Sequence, residues 1–302
     1  MANILVTGGT GFIGSHLVQK LLDMGNDVVV VSHGTRKLPS SSRLEVLTFD
    51  LRNQDDCVKN LRGFKFHKIF NLSGYIDHTP FLKGGDQVLS QHFQAVQNIV
   101  KSCDRSELKS FVQIGSSDEY GNAIAPQKEL DRELPISPYS VGKVAASHFL
   151  QMLHRTEAYP AVVVRLFLVY GPGQDQKRFL PQIIKGCLAN SSFPSSEGKQ
   201  LRDFCYIDDI VNGLITSSDT EAAKGEILNL ASGIAISIRE VVENVMRQTH
   251  GGNPQWGKIP YRSGENMGLY ADISKVKRIL NWVPSISLDE GIKKTIEFYR
   301  VS

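Results

Sequence analysis

An excess of charge of either sign is missing from this chain: 34 Lys and Arg balance 31 Asp and Glu for a net +3 over 302 residues, and no basic run occurs. A nucleic-acid surface is therefore not expected. Long apolar runs are also lacking. No stretch approaches the roughly 18 residues of a membrane span, and the N-terminus enters a strand pattern without a signal-peptide layout, so a cytoplasmic protein is expected. Cysteine is scarce. Cys57, Cys103, Cys187 and Cys205 are widely separated, form no CxxC pair, and are expected as reduced, buried thiols. The eight histidines include no HExxH and no Cys-His cluster, so no metal site is expected. What remains is a chain with 41% hydrophobic residues, long enough for a full core in one large or two modest domains.

Apolar runs at 3–7, 27–32, 44–48, 68–72, 110–115 and 161–167 alternate with helical patterns, the signature of a doubly wound parallel α/β sheet of Rossmann type. After Tyr170-Gly171-Pro172-Gly173 the rhythm becomes helix-rich. A dinucleotide-binding domain is accordingly expected over 1–170 and a smaller helix-rich substrate domain over 171–302, with the two interleaved. Ser237 with Glu240 and Ser287 with Glu290 have capping-box spacing.

The run Asn3 to Thr7 leads into Gly8-Gly9-Thr10-Gly11-Phe12-Ile13-Gly14, and a helical pattern follows through Leu17, Leu21 and Leu22. Strand, glycine turn and helix in that order meet the context test for a dinucleotide fingerprint, in which backbone amides at a helix N-terminus hold a pyrophosphate. At the end of the second strand, where an acidic residue ordinarily takes the ribose hydroxyls, stand Ser32 and His33, with Arg36 and Lys37 nearby. That set welcomes a 2′-phosphate, so NADP(H) is favoured and NAD(H) stays possible.

Tyr139 and Lys143 are four apart, one turn along a helix that Ser137 caps and Pro138 opens, so both reach one cavity. The Lys143 charge is expected to depress the phenol's pKa, as a general acid/base near neutral pH requires. A short distance upstream, Ser116-Ser117-Asp118-Glu119-Tyr120-Gly121 supplies a hydroxyl for the same cavity.

These motifs together resemble the extended short-chain dehydrogenase/reductase superfamily, the NAD-dependent epimerase/dehydratase group that modifies nucleotide sugars. The likeness continues through Arg165 to Gly173, Lys177 to Pro181, Arg202 to Asp209 and Tyr261 to Glu265. It implies that Ser116 hydrogen-bonds the sugar oxygen, Tyr139 exchanges a proton with it, and Lys143 holds the nicotinamide ribose. It further implies that Asp50 and Leu51 contact adenine and that Leu72, Ser73 and Gly74 lie beneath the nicotinamide. Ser117, Arg178, Phe179, Arg202, Arg262 and Glu265 are implied substrate contacts, with the two arginines Arg202 and Arg262 on the diphosphate; an internal pair of Arg202 with Asp203 is the rival for the former. Similar enzymes form homodimers.

The string Gly115 to Gly121 resembles that of GDP-4-keto-6-deoxymannose reductases, and the Val169 to Gly173 and Arg178 to Pro181 segments resemble abequose and paratose synthases. Both favour reduction of a 4-keto-deoxyhexose at C4. Similar 4,6-dehydratases carry Asp-Glu where this chain has Ser117-Asp118, so only Asp118 stands where their base would be. Leu168 replaces an asparagine common in the group. The alternatives are a 4-epimerase with the same Ser-Tyr-Lys set, a 4,6-dehydratase, and a non-catalytic NAD(P)-binding protein.

Overall fold

The computed structural model describes residues 2–34, 36–261 and 264–301. Six strands fall within a residue or two of the apolar runs read from the sequence: β1 (Asn3–Thr7), β2 (Asp27–Val31), β3 (Leu44–Leu47), β4 (Lys68–Asn71), β5 (Ser110–Ser116) and β6 (Ala161–Leu166). A seventh, Ile227–Leu230, pairs with β6, and the sheet order is Ile227–Leu230, β6, β5, β4, β1, β2, β3. All of these pairings are parallel.

Strand residues are apolar on both sides because helices cover both faces. Ile4, Val6, Val28 and Val30 enter the core on one face, which the helices α1 (Phe12–Asp23) and Ile207–Asp219 help to build. Leu5, Val29 and Val31 enter the core on the other, with α2 (Gln54–Leu61), α3 (Asp86–Ser102) and α4 (Pro138–Glu157). The order reverses between β4 and β1, where an open parallel sheet has its crevice at the carboxyl ends of the strands. Thr7, Asn71 and Ser116 close their strands at that edge.

The strand Ile227–Leu230 belongs to the main sheet although it lies beyond residue 170. Other late segments form small sheets: Phe204–Tyr206 with Leu168–Tyr170, and Leu201–Arg202 with Ile236–Ser237 and Gly268–Leu269. Ser237 and Glu240 form the capping box their spacing suggests, and Ser287 accepts from the Glu290 amide. The four cysteines are free and buried. No helix among the described residues is long and apolar enough to cross a membrane.

One buried carboxylate joins β5, β6 and α4. Glu119 Oε1 accepts the Ser116 N–H at 2.8 Å, while its Oε2 accepts Ser147 Oγ at 2.9 Å and Arg165 Nε at 3.0 Å. Arg165 Nη2 is 2.9 Å from that same oxygen and donates to Glu133 Oε1 at 2.7 Å, with the guanidinium carbon 4.6 Å from the centre of the Tyr120 ring. Burial works to raise the Glu133 pKa, yet the Arg165 bond and charge outweigh it and leave it lowered. Both Glu119 and Arg165 side chains are wholly buried, so removing one partner strands a charge. Arg165→Met is expected to cost about 3–5 kcal/mol of unfolding free energy, measured by urea denaturation; a loss below about 1 kcal/mol would show that the cluster does not tie these elements together.

Candidate active site

The cleft is framed on one side by the glycine turn. Gly8 has φ +70°, and a Cβ there would sit 2.7 Å from the Leu72 carbonyl oxygen; at Gly14 it would sit 2.3 Å from the Gly8 carbonyl oxygen. Only glycine permits this approach. Gly11 caps α1 with no side-chain bond, so the first amides of the helix, those of Phe12, Ile13 and Gly14, have no intrahelical acceptor and suit an anion. The backbone cradle fits a dinucleotide pyrophosphate.

Around that turn, the Ser32 and Thr10 hydroxyls are hydrogen-bonded. Arg36 donates to Ser15 Oγ at 3.0 Å and to the Gly173 carbonyl at 2.6 Å, which holds its guanidinium beside the start of α1. His33 is exposed, and Asp50 feels its charge. Asp50 is itself clasped by Arg52 at 2.7 Å, whose hydrogen bond is the main cause of its lowered pKa. Leu51 is buried, its carbonyl accepting from Asn98 Nδ2 at 2.9 Å. Beneath the turn after β4, Asn71 Oδ1 accepts Ser73 Oγ at 2.6 Å, and Gly74 takes φ +109°.

Ser116, Tyr139 and Lys143 converge opposite. Ser137 caps α4 and Pro138 occupies its first turn, so Tyr139 and Lys143 share a face as their spacing requires. The Ser116 side chain is close enough to Tyr139 to act on its pKa. Lys143 Nζ is 5.9 Å from the Tyr139 ring centre and donates to the Ile114 carbonyl at 2.8 Å.

The electrostatics overturn one expectation. The Tyr139 phenol has its pKa raised, not lowered: burial is the largest cause, the Ser116 side chain and Arg178 pull against it, and the Asp118 and Glu119 carboxylates add to it. Lys143 is buried too, and loss of hydration pulls its ammonium down to about 8 although Glu119 opposes the shift. Desolvation acts on both groups and favours the neutral form of each.

Two histidines that the sequence reading left out edge the Tyr139 ring. His92, on α3, meets it nearly perpendicular with centroids 4.7 Å apart, and its seat depends on glycine: a Cβ on Gly74 would lie 2.2 Å from its Cε1, and one on Gly142 2.9 Å from its Cβ. Its Nε2 lies 2.9 Å from the Tyr75 carbonyl, so Nε2 carries the proton. Burial, with Lys143 nearby, lowers the ring to about 3 and keeps it neutral. His78 lies on the other edge, 5.8 Å between centroids. No sequence spacing signals either residue, since they come from a helix and a loop remote from Tyr139 in the chain.

Ser117 and Asp118 form a short turn with Glu119 directly after Ser116, and Asp118 N–H donates to Ser116 Oγ at 3.2 Å. Arg178 precedes the helix Phe179–Leu188 and is close enough to influence Tyr139, whereas Phe179 packs on Phe204 with rings 6.3 Å apart. Arg202 and Glu265 are ion-paired to each other, and Arg202 also donates to the carbonyls of Leu201 and Asn266 at 2.8 Å. Asp203, the sequence rival for Arg202, accepts instead from Ser232, Gly233 and Ala271. Arg262 lies outside the described residues. No cluster of metal-ligating side chains occurs among the described residues.

The Lys143 environment is open to direct measurement. In the free protein its side-chain NMR signal, assigned by loss in Lys143→Met, is expected to titrate near pH 8; a midpoint above about 10, the ordinary lysine value, would contradict the burial argument.

Comparison with known proteins agrees with this architecture. The family model described as NAD dependent epimerase/dehydratase family matches residues 4–231. The uncharacterized UDP-glucose epimerase YtcB of Bacillus subtilis is 28% identical, with 98% of this chain and 97% of that protein covered. Among solved structures, MoeE5 in complex with UDP-glucuronic acid and NAD is 30% identical, covers 99% of both chains and superposes with a TM-score of 0.85. The UDP-glucuronic acid 4-epimerase of Bacillus cereus, in complex with UDP-glucuronic acid and NAD, is 27% identical with 99% of both chains covered and a TM-score of 0.88. With the glycine cradle, the seven-stranded parallel sheet and a family match over three quarters of its length, this chain is an enzyme that belongs to the NAD dependent epimerase/dehydratase family.

Proposed function

We propose that this protein is an NAD(P)-dependent oxidoreductase that reduces the C4 ketone of a nucleotide-activated 4-keto-deoxyhexose, working as a homodimer in the cytoplasm with NADPH as the preferred cofactor. The observation that supports the reading is the buried Tyr139 phenol, its pKa raised by burial, one helical turn from Lys143 and within reach of the Ser116 side chain. Reduction of a ketone consumes a proton, and a protonated phenol is ready to give one. Oxidation of an alcohol asks the same group to begin as a base.

Gly8, Gly11, Phe12, Ile13 and Gly14 would hold the pyrophosphate, Asp50 and Leu51 the adenine, and Leu72, Ser73 and Gly74 the nicotinamide side, with Lys143 on the ribose. Bound there, a reduced nicotinamide would supply the hydride for C4. Ser116 orients the ketone oxygen by a hydrogen bond, and Tyr139 delivers the proton to it. Ser117, Arg178, Phe179, Arg202, Arg262 and Glu265 make up the nucleotide-sugar side. Ser32, His33 and Arg36 favour the 2′-phosphate, and the Asp50 carboxylate, within electrostatic reach of His33, is matched by Arg52. Asp118 is not needed for reduction; it stands where a dehydratase would need a base.

The second reading is a 4-epimerase, favoured by the likeness to the Bacillus cereus UDP-glucuronic acid 4-epimerase. Such an enzyme passes its hydride back to the same sugar and consumes no cofactor. Stoichiometric NAD(H) surviving gel filtration, with interconversion of UDP-hexoses and no NADPH consumption on a 4-keto substrate, would replace the reductase by the epimerase.

Tyr139→Phe is expected to cut turnover by roughly 10²–10⁴ while cofactor affinity, followed by fluorescence titration, stays within about twofold by the same reasoning. Near-normal turnover would place the acid elsewhere. For the cofactor, NADPH is expected to bind more tightly than NADH, and Ser32→Asp to erase the preference by repelling the 2′-phosphate. Equal or tighter NADH binding in the parent protein would refute the argument from Ser32, His33 and Arg36.

A further inference from the structure

One row of the central sheet is polar where the core calls for apolar side chains. Leu5, Ile69 and Phe111 stand side by side on β1, β4 and β5 and are buried in the core that α3 and α4 cover. Two residues further along each strand, and so on the same face, come Thr7, Asn71 and Gln113, again in register and again buried. Their side chains form one chain of hydrogen bonds. Thr7 Oγ1 and Ser73 Oγ donate to Asn71 Oδ1, the latter at 2.6 Å. Asn71 Nδ2 donates to Gln113 Oε1 at 2.7 Å, and Gln113 Nε2 donates to the Ile114 carbonyl at 2.9 Å. That same carbonyl accepts Lys143 Nζ at 2.8 Å.

A carbonyl can only accept, so the direction of every bond in the row is fixed from its Ile114 end, and neither amide can turn over without setting oxygen against oxygen. Each bond polarises the next. Gln113 therefore brings a strengthened N–H to the oxygen that Lys143 also uses. Two donors on one oxygen compete for its electron density, so Lys143 is held less firmly there than it would be without Gln113. One of the three ammonium N–H groups is seated in this way, and two are left for the cleft. An apolar row like the neighbouring one would fill the core and leave Lys143 without a competing side chain at that carbonyl.

We infer that Gln113, oriented by Asn71, is a positioning residue for Lys143: it shares the Ile114 carbonyl on which the ammonium is anchored, and the row ties that anchor to Thr7 and Ser73 on the cofactor side of the cleft. The inference rests on the reading of Lys143 as the group that meets the nicotinamide ribose. Neither Gln113 nor Asn71 touches a ligand in this role; both act through the lysine.

The test is the NMR titration of Lys143 in the free protein. A hydrogen bond to the charged form favours that form, so a firmer hold by Ile114 raises the midpoint. Gln113→Met, which keeps the side-chain length and removes the donor, is expected to raise it by about 0.3 pH unit or more, the scale of one bond's polarisation by its neighbour. Asn71→Leu is expected to raise it by less, and Asn71→Leu with Gln113→Met to match Gln113→Met alone, since Asn71 acts only through Gln113. Val112→Ala, next in the strand but facing the opposite core, is expected to lower the urea midpoint and leave the Lys143 titration where it was. An unmoved or lowered Lys143 midpoint in Gln113→Met overturns the inference, and so do additive shifts in the double variant. An equal shift in Val112→Ala also overturns it, because a loosened fold would then be the cause. Should Gln113→Met not fold, Thr7→Val, which deletes only the outer hydroxyl, is read in its place with the same direction expected and the same outcomes deciding. NADPH consumption on a GDP-4-keto-6-deoxyhexose is recorded separately. Consumption without a Lys143 shift spares the reductase reading and overturns the positioning role, whereas the shift without consumption supports the role and removes the reductase.

Discussion

The bond between Glu119 and Arg165 is the constraint on which the arrangement of the cleft depends. One carboxylate fixes the backbone amide of Ser116, the Ser147 hydroxyl one turn beyond Lys143, and the guanidinium that β6 sends across the sheet. Ser116 and the Tyr139-Lys143 face come from different elements, and this shared acceptor bridges them. A buried ion pair adds little net stability when compared with apolar residues, because desolvation offsets its Coulomb energy. Its value here is registry: it allows one distance between the strand end and the helix.

The same low-dielectric surroundings decide which protonation states the cleft holds. Glu119 is spent on Arg165 and Ser116, yet its charge still reaches Lys143 and Tyr139. It raises both pKa values, so it helps Lys143 keep its proton and helps Tyr139 keep its own. Burial agrees with Glu119 at the tyrosine and opposes it at the lysine. The result is a phenol whose pKa is pushed up beside an amine whose pKa is pulled down to about 8.

Much of this was legible in the residues. β1, β2, β4, β5 and β6 are nearly continuous apolar runs because both faces of the sheet are covered, and the glycine turn is readable because each close contact at Gly8 and Gly14 excludes a Cβ. The one-turn spacing of Tyr139 and Lys143 carried over directly. The strand Ile227–Leu230 was missed because four residues among helical segments have too little pattern to show a period. The direction of the Tyr139 shift was misread because spacing reveals a neighbouring charge but not the depth at which both groups lie. His78 and His92 escaped for a related reason: what matters is the tertiary seat, created for His92 by two glycines distant from each other in the chain.

The arginines proposed to meet phosphate are already partnered. Arg36 is engaged with Ser15 and the Gly173 carbonyl, and Arg202 with Glu265 and two backbone carbonyls. A phosphate arriving at either guanidinium would meet donors that already have acceptors, so its gain would be smaller than at a guanidinium held only by water. The compensation is geometric. Both guanidinium groups are oriented before a ligand arrives, and less side-chain entropy is lost on association. Arg36 and His16 both tie α1 to the loop at Pro172 and Gly173, so a phosphate that drew Arg36 away would leave that loop fastened to the helix by His16.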